Sequence, residues 1–310
     1  MITNADGQER TVGVEIEFGS VGAEDAAELV KTLFGGSLVK HNPNAFDAKG
    51  SSLGDFSVKL DTRFSSYDEK ADDFLDEIKA ELGNLFGAAA SLVVPFEVEA
   101  PPVKIHQLPE IERLMARLRQ AGASGTEASP FFAFGVHLNP ETPRRDARTI
   151  AAIMKAYGMV GPWLWRTIDP DVTRRLLSFA EPFPDDYVRL LAAEDYWPDM
   201  PALIDDYLTW NPSRNRDLDM LPLFAFLDED RVRKKLPEEK INPRPTFHYR
   251  LPNTQLDDPE WSLAREWNRW VAVERVAADD ARLPALCRDY LSYQGGREEW
   301  AARLEDLEVA

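Results

Sequence analysis

The segment Thr11-Val12-Gly13-Val14-Glu15-Ile16-Glu17-Phe18 places an apolar residue at every second position from Val12 onwards. Successive side chains of a β-strand point to opposite faces, so the segment predicts a strand with one apolar face and one face that carries Glu15 and Glu17. Two carboxylates on one face repel each other unless a positive group lies between them. A solvent-exposed strand surface is the ordinary explanation of such alternation.

Four later segments have the same alternation and carry further ionisable side chains on their polar faces. They are residues 55–61, 92–99, 132–139 and 246–251. Apolar residues at helical spacing predict helices at 23–34, 68–86, 108–121, 144–166 and 261–278. Half-polar strands argue against a buried parallel sheet. We therefore predict an α+β fold, with a mainly antiparallel, curved sheet, helices on its apolar face and an open polar cleft on the other face.

Composition limits the classes of function. The chain has 310 residues without an evident linker, which predicts a single domain over 1–310 that ends in C-terminal helices at 258–310. Its net charge of -18 disfavours binding to duplex nucleic acid or to an anionic membrane. Cys287 is the single cysteine, which excludes an intramolecular disulfide and suits a reducing compartment. Without a signal-peptide pattern or a membrane-length apolar run, a cytoplasmic protein is expected.

The polar faces of the five strands would meet if all five belong to one sheet. They would then bring together Glu15, Glu17, Lys59, Asp61, Glu97, Glu99, His137, Asn139, His248 and Arg250. Clustered carboxylates raise one another's pKa unless cations neutralise them, and oxygen ligands favour hard ions such as Mg²⁺ or Mn²⁺. Such ions bind phosphates and support phosphoryl transfer. Arg250 and the loop residues Arg214 and Arg216 would complete a phosphate clamp.

Taken singly, these residues have ordinary explanations, because a lone histidine is more often a core residue and loop arginines are usually solvated. His41 and His106 have no partner pattern. The chain lacks a Gly-rich phosphate loop and a nucleophile elbow. A nucleotide would therefore have to be held by metals, arginines and strand backbone.

Four motifs, in this order, resemble those of the amidoligases in the glutamine synthetase and glutamate–cysteine ligase superfamily. They are GVEIEF at 13–18, EVEAPP at 97–102, GVHLN at 135–139 and RPTFHYR at 244–250. The resemblance implies a fold like the glutamine synthetase catalytic domain, a site for ATP with Mg²⁺ or Mn²⁺, and ATP-dependent joining of a carboxylate to an amine.

Roles for individual residues follow from the resemblance and from the strand pattern. The expected metal ligands are Glu15, Glu17, Glu97, His137 and His248; the expected contacts to ATP are Lys59, His137, Arg214, Arg216 and Arg250; the expected catalytic residues are Asp61, Glu99 and Arg250. Two positions depart from the family pattern. Asn139 stands where a second histidine is frequent, and His248 stands where a glutamate is usual, although an imidazole can still bind a metal.

The leading hypothesis is an ATP-dependent carboxylate–amine ligase that works through an acyl phosphate, with Glu99 or Asp61 accepting the proton of the amine. The substrates would be small-molecule or peptide amines and carboxylates, selected by an insertion at 169–210, and a homo-oligomer is left open. A non-catalytic nucleotide- or metal-binding protein on the same scaffold is the alternative suggested by His248 and Asn139. A metal-dependent hydrolase without a nucleotide is the third hypothesis.

Overall fold

An open antiparallel sheet organises the molecule. The computed structural model describes residues 1–60, 95–125, 134–170, 174 and 180–305. The strands of this part are β1 (Thr11–Phe18), β2 (Ser37–Asn42), β3 (Ala45–Ser51), β4 (Gly54–Leu60), β5 (Phe96–Glu99), β6 (Val103–Lys104), β7 (Val136–Pro140), β8 (Leu218–Asp219) and β9 (His248–Tyr249). Their order is β2-β3-β4-β5-β1-β7-β9-β8, with β6 beside β1, and the paired strands are antiparallel. The prediction of an α+β fold with a mainly antiparallel sheet is confirmed.

Helices account for most of the remaining described chain. They are α1 (Ala23–Phe34), α2 (Leu108–Gln120), α3 (Ala147–Ile168), α4 (Asp185–Ala192), α5 (Met200–Trp210), α6 (Leu221–Leu227), α7 (Glu229–Lys235), α8 (Leu263–Ala277), α9 (Arg282–Ser292) and α10 (Arg297–Glu305). Four predicted helices are confirmed to within three residues at either end, whereas the helix predicted at 68–86 lies outside the described residues. None of the described helices is both long and apolar enough to span a bilayer.

Three helices cover the apolar face of the sheet. Phe34 of α1 stacks on Phe56 of β4, with ring centroids 5.4 Å apart. The ring centroid of Tyr249 of β9 lies 5.6 Å from that of Trp270 of α8 and 6.0 Å from that of Tyr157 of α3. Burial of one such large side chain contributes about 1.5–3 kcal/mol relative to its exposure. This packing fixes which face of each strand is left for polar side chains.

The aromatic region predicted to select substrates contributes to the core. Phe183, Tyr187 of α4 and Tyr207 of α5 are all buried. The Phe183 ring lies 5.5 Å from that of Tyr187, 6.1 Å from that of Tyr207 and 5.7 Å from that of Tyr157. These three side chains therefore stabilise the packing behind the sheet, and substrate selection by 169–210 stays a prediction.

The local differences from the sequence predictions have identifiable causes. The predicted strand at 246–251 is reduced to His248–Tyr249, because Pro245 and Pro252 cannot donate to a strand ladder. Residues 37–51 form the hairpin β2–β3, which turns at Pro43 and Asn44. The α3 helix begins at Ala147 and not at 144, because the Asp146 side chain accepts a hydrogen bond from the Thr149 amide at 2.9 Å and caps it.

Candidate active site

The registers of β5, β1 and β7 bring the predicted carboxylates and His137 onto one face. Glu17 lies opposite Glu97, and Glu15 lies opposite Glu99 on β5. On its other side, Glu15 lies opposite His137 of β7. Directly opposed residues of antiparallel strands share a face, so these polar faces do meet.

Strands β9 and β8 extend this face. Tyr249 is paired with Leu138, so its neighbour His248 points to the side that carries His137. The two imidazole rings are 5.3 Å apart, nearly edge to face. Asp219 of β8 lies directly opposite His248 and adds a carboxylate that the sequence reasoning did not include.

Hydrogen bonding defines which nitrogen of His137 is free. Its Nδ1 lies 2.9 Å from Glu15 Oε2, and an ionised carboxylate can only accept, so Nδ1 carries the proton. The lone pair is then on Nε2, which lies 3.6 Å from Glu17 Oε1. A carboxylate that orients a histidine in this way is a frequent partner of a metal-binding imidazole.

The two residues that depart from the family pattern contact each other. Asn139 Oδ1, an acceptor, lies 2.7 Å from His248 Nδ1, and Arg244 Nη2, a donor, lies 3.0 Å from the same nitrogen. Asn139 Nδ2 donates to Glu15 Oε1 at 2.9 Å, and Arg244 Nη2 donates to Asn139 Oδ1 at 2.7 Å. The Asn139 amide thus joins Glu15, His248 and Arg244.

The centre of this polar face is buried, so the open cleft expected from the sequence is limited to its margin. The side chains of Glu17 and His137 are 1% and 5% exposed, whereas that of Glu99 is 39% exposed. Burial lowers the pKa of His137 and, together with nearby Arg244, lowers the pKa of His248 well below its usual value. Both imidazoles are therefore neutral at physiological pH, which is the form that binds metals.

Glu15 stays ionised despite its burial. Burial alone would raise its pKa, but the hydrogen bond from His137 and the guanidinium of Arg244 hold that pKa well below its ordinary value. An ionised Glu15 accepts hydrogen bonds from both β7 side chains, His137 and Asn139. This carboxylate therefore fixes the orientation of the donor atoms around it.

Among the residues that the structure describes, two sets of three side chains on this face could hold a metal ion. They are Glu17, Glu97 and His137, and Glu15, His137 and His248, with the potential ligand atoms of each set within 4.8 Å of one another. A neutral imidazole has one lone pair, and that of His137 points toward Glu17. The first set therefore fits a divalent cation better, with two carboxylate oxygens and one nitrogen, a donor set that suits Mg²⁺ or Mn²⁺.

The end of the face formed by β8 and β9 contains the guanidinium groups. Arg250 Nη1 donates to the backbone carbonyl of Arg214, and Arg214 Nη1 donates to that of Lys240. Arg214 Nε lies 3.7 Å from Asp219 Oδ2, an atom without a hydrogen-bond partner among the described residues. Burial raises the pKa of Asp219, although the charges of Arg214 and Arg250 oppose that rise.

The remaining predicted residues lie in different environments. Lys59 Nζ donates to Glu99 Oε1 at 2.7 Å, a pair at the exposed margin of the face. Arg216 Nη1 contacts Glu181 Oε2 at 3.1 Å and donates to the Pro182 carbonyl at 2.9 Å, so a phosphate contact from Arg216 stays a prediction. Asp61 lies outside the described residues.

Sequence reasoning missed Asp219 and gave no role to Arg244 or Gly135. Asp219 follows a loop, and only the short alternation in Asp217-Leu218-Asp219 could have suggested a strand. Arg244 lies between two prolines, where no periodic pattern exists. At Gly135, a Cβ atom would lie 3.1 Å from His137 Nε2 and 2.8 Å from Arg174 Nη2, so a larger residue would crowd the nitrogen that faces Glu17.

A comparison with protein families gives one match that covers most of the chain. The family model described as "Putative amidoligase enzyme" matches residues 8–272. This range includes all four motifs and the strands that carry the candidate site. Searches of the curated proteins and of the solved structures give no match.

Proposed function

Because the chain belongs to this amidoligase family, we propose that it is an ATP-dependent ligase that joins a carboxylate to an amine through an acyl phosphate. The observation that carries the proposal is the register of β5, β1 and β7, which aligns Glu97, Glu17 and His137 beside the arginine-rich end of the same face. ATP phosphates carry the negative charge that this combination of a cation site and guanidinium groups can neutralise.

In this proposal Glu17, Glu97 and His137 Nε2 hold a Mg²⁺ or Mn²⁺ ion. Glu15 keeps His137 in the tautomer that leaves Nε2 free, through the contact of 2.9 Å at Nδ1. When bound, the ion neutralises negative charge on the phosphoryl group that is transferred. His248 supplies a further neutral imidazole on the same face, in place of the usual glutamate.

Arg250 is the proposed contact to the reacting carboxylate or to the transferred phosphoryl group. Its backbone amide donates to the Asp217 carbonyl at 2.9 Å, and its Nη1 donates to the carbonyl of Arg214, so both ends of the residue are positioned. A guanidinium held in this way can form two parallel hydrogen bonds to a carboxylate or phosphate.

The amine loses a proton as it attacks the acyl phosphate, and Glu99 is the proposed acceptor. Glu99 lies at the exposed margin of the face, where an incoming amine can reach it, and Lys59 contacts its other side. The reaction forms one amide bond and yields ADP and phosphate. We keep Asp61 as a second proposed acceptor, since it follows β4 directly in the chain.

The proposed reaction can be tested without knowledge of the amine. Hydroxylamine traps acyl phosphates as hydroxamates, so the purified protein is incubated with ATP, Mn²⁺, hydroxylamine and a panel of amino acids and small peptides that carry carboxylates. We expect ADP and hydroxamate in equal amounts, and loss of both in Glu17→Gln. Glu28→Gln removes an equal charge from the exposed surface of α1. This variant is the matched control and should retain activity.

The hydrogen bond between His248 and Asn139 favours one alternative, a protein that binds nucleotide without turnover. Both residues that depart from the family pattern are engaged with each other. Calorimetric binding of ATP that needs Mn²⁺ but is never followed by ADP, with any carboxylate of the panel, would support this alternative and contradict the ligase. Metal-dependent hydrolysis of an amide without ATP would support the hydrolase.

A further inference from the structure

A cavity between α3 and α9 shares no lining residue with the candidate active site. Its volume is about 310 Å³, near the lower end of the sizes usual for small-molecule sites. Its lining includes the cations Lys155, Arg148 and Arg288, the carboxylate of Glu194, the Trp197 ring and the apolar side chains of Leu283 and Leu291. We call it the Lys155 cavity.

The ammonium group of Lys155 is incompletely satisfied. The residue is 2% exposed, and its Nζ donates to one acceptor, the Ala193 carbonyl at 2.9 Å. An ammonium group has three donors, and no carboxylate of the described chain lies within ion-pair distance of this one. Burial lowers the pKa of Lys155, although Cys287 and the carboxylate of Asp195 oppose that fall.

Another buried cation shows the contrast. Arg10 is completely buried, and its guanidinium contacts both carboxylate oxygens of Glu274 at 2.6 and 2.8 Å. Buried charges in proteins are normally paired in this manner, because an unpaired buried charge is costly. Lys155 therefore differs from Arg10, whose buried charge has a carboxylate partner.

The aromatic wall of the cavity compensates only in part. Lys155 Nζ and Arg148 Cζ each lie 4.4 Å from the centroid of the Trp197 ring. Cation–π contacts contribute about 0.5–2 kcal/mol, less than the cost of burying an unpaired ammonium. Arg148 and Arg288 also have no ion pair among the described residues, so the cavity lining carries three cations against one carboxylate, Glu194, in a chain with a net charge of -18.

We propose that the Lys155 cavity binds a small organic anion, with its carboxylate or phosphate group at Lys155 and Arg148 and a compact apolar body against Leu283 and Leu291. The anion supplies the acceptors that the ammonium group lacks. The ligand is expected to have an apolar part because Leu283 and Leu291 of α9 form an apolar wall, and an apolar group there would displace water from that wall. The site is independent of the proposed ligase reaction.

Four probes separate the contributions of charge and apolar body. Benzoate and phenyl phosphate carry both, inorganic phosphate carries the charge alone, and benzyl alcohol carries the ring alone. We expect calorimetry on the full chain to detect binding of benzoate or of phenyl phosphate. The anion that binds more tightly identifies the preferred head group, carboxylate or phosphate. Inorganic phosphate should bind more weakly, and benzyl alcohol should not bind.

Two variants locate the binding. Lys155→Met keeps the volume and removes the charge, and it should fold because it removes an uncompensated buried cation. Arg148→Gln changes an exposed residue and leaves the core intact. Each should weaken binding of the anion about tenfold or more, the usual effect of losing a charged hydrogen bond. Lys31→Met, on the exposed surface of α1, makes the same charge change and should leave the affinity for the anion unchanged. No binding by either aromatic anion, equal binding of benzyl alcohol, or unchanged affinity in Lys155→Met overturns the proposal.

Discussion

Glu15 and Glu17 are two residues apart in the sequence, yet the structure predicts that replacing each has a different effect on metal affinity. Glu17 faces the free Nε2 of His137 at 3.6 Å, whereas Glu15 accepts the Nδ1 proton of the same ring at 2.9 Å. Glu17→Gln removes one of two carboxylate ligands, while Glu15→Gln keeps an acceptor for His137 but loses the charge and the second acceptor oxygen, which faces Asn139. We therefore expect Glu17→Gln to weaken Mn²⁺ binding much more than Glu15→Gln.

The magnitudes follow from these contacts. Loss of a residue that orients a metal-binding histidine costs about 10–100-fold in affinity, equivalent to about 1.4–2.7 kcal/mol. Glu15→Gln should fall in this range, and Glu17→Gln should exceed about 100-fold, since the ion then loses a direct ligand. Glu28→Gln serves as the charge control and should leave the affinity unchanged.

Isothermal titration calorimetry with Mn²⁺ at neutral pH measures these affinities, and circular dichroism confirms that each variant is folded. Saturating Mn²⁺ should also raise the melting temperature of the unmodified protein, because it binds the folded state. The reasoning is refuted if Glu15→Gln abolishes binding and Glu17→Gln does not. That outcome would assign the ion to the set formed by Glu15, His137 and His248.

Three further predictions concern the surroundings of the site. Gly135→Ala should weaken Mn²⁺ binding, measured by the same calorimetry, because its Cβ would lie 3.1 Å from His137 Nε2. Burial raises the pKa of Asp217 to about 6 from 3.8, so the folded state keeps its proton while the unfolded state loses it. The free energy of unfolding should therefore fall by about 2 kcal/mol between pH 4 and 6, and urea titrations of Asp217→Asn should lack this fall. Glu274→Gln should cost about 3–5 kcal/mol in urea unfolding, because it leaves Arg10 buried without a charged partner.

Each of these predictions has a matched control and a contrary outcome. Gly161→Ala adds a methyl group in α3 where no atom lies within 4 Å, and equal loss of metal affinity there would contradict the crowding argument. Asp186→Asn, on the exposed surface of α4, should keep the full pH dependence. Glu28→Gln breaks an exposed pair with Lys31 and should cost less than about 1 kcal/mol. An equal cost for Glu274→Gln would mean that burial does not strengthen the Arg10 pair.

The face on which each residue lies was determined by the sequence alone. Alternation with a period of two is a local property of a strand. The strand face of five site residues could therefore be predicted without tertiary information: Glu15, Glu17, Glu97, His137 and His248. The helices at 23–34 and 108–121 were equally local, because their apolar stripes repeat within single segments. Those elements lie where the sequence predicted them.

Strand order and register were decided by the tertiary structure. Pairing between β1 and β5 joins residues about 80 positions apart, and nothing in either segment specifies that Glu17 meets Glu97 and not Glu99. The roles of Glu15 and Glu17 differ only because β7 places His137 beside Glu15. Asp219 and Arg244 reach the face from short or irregular segments, which have no periodic signal. The sequence therefore determined which side chains face the site, and long-range pairing decided which of them touch, because a contact between distant segments depends on how the whole sheet assembles.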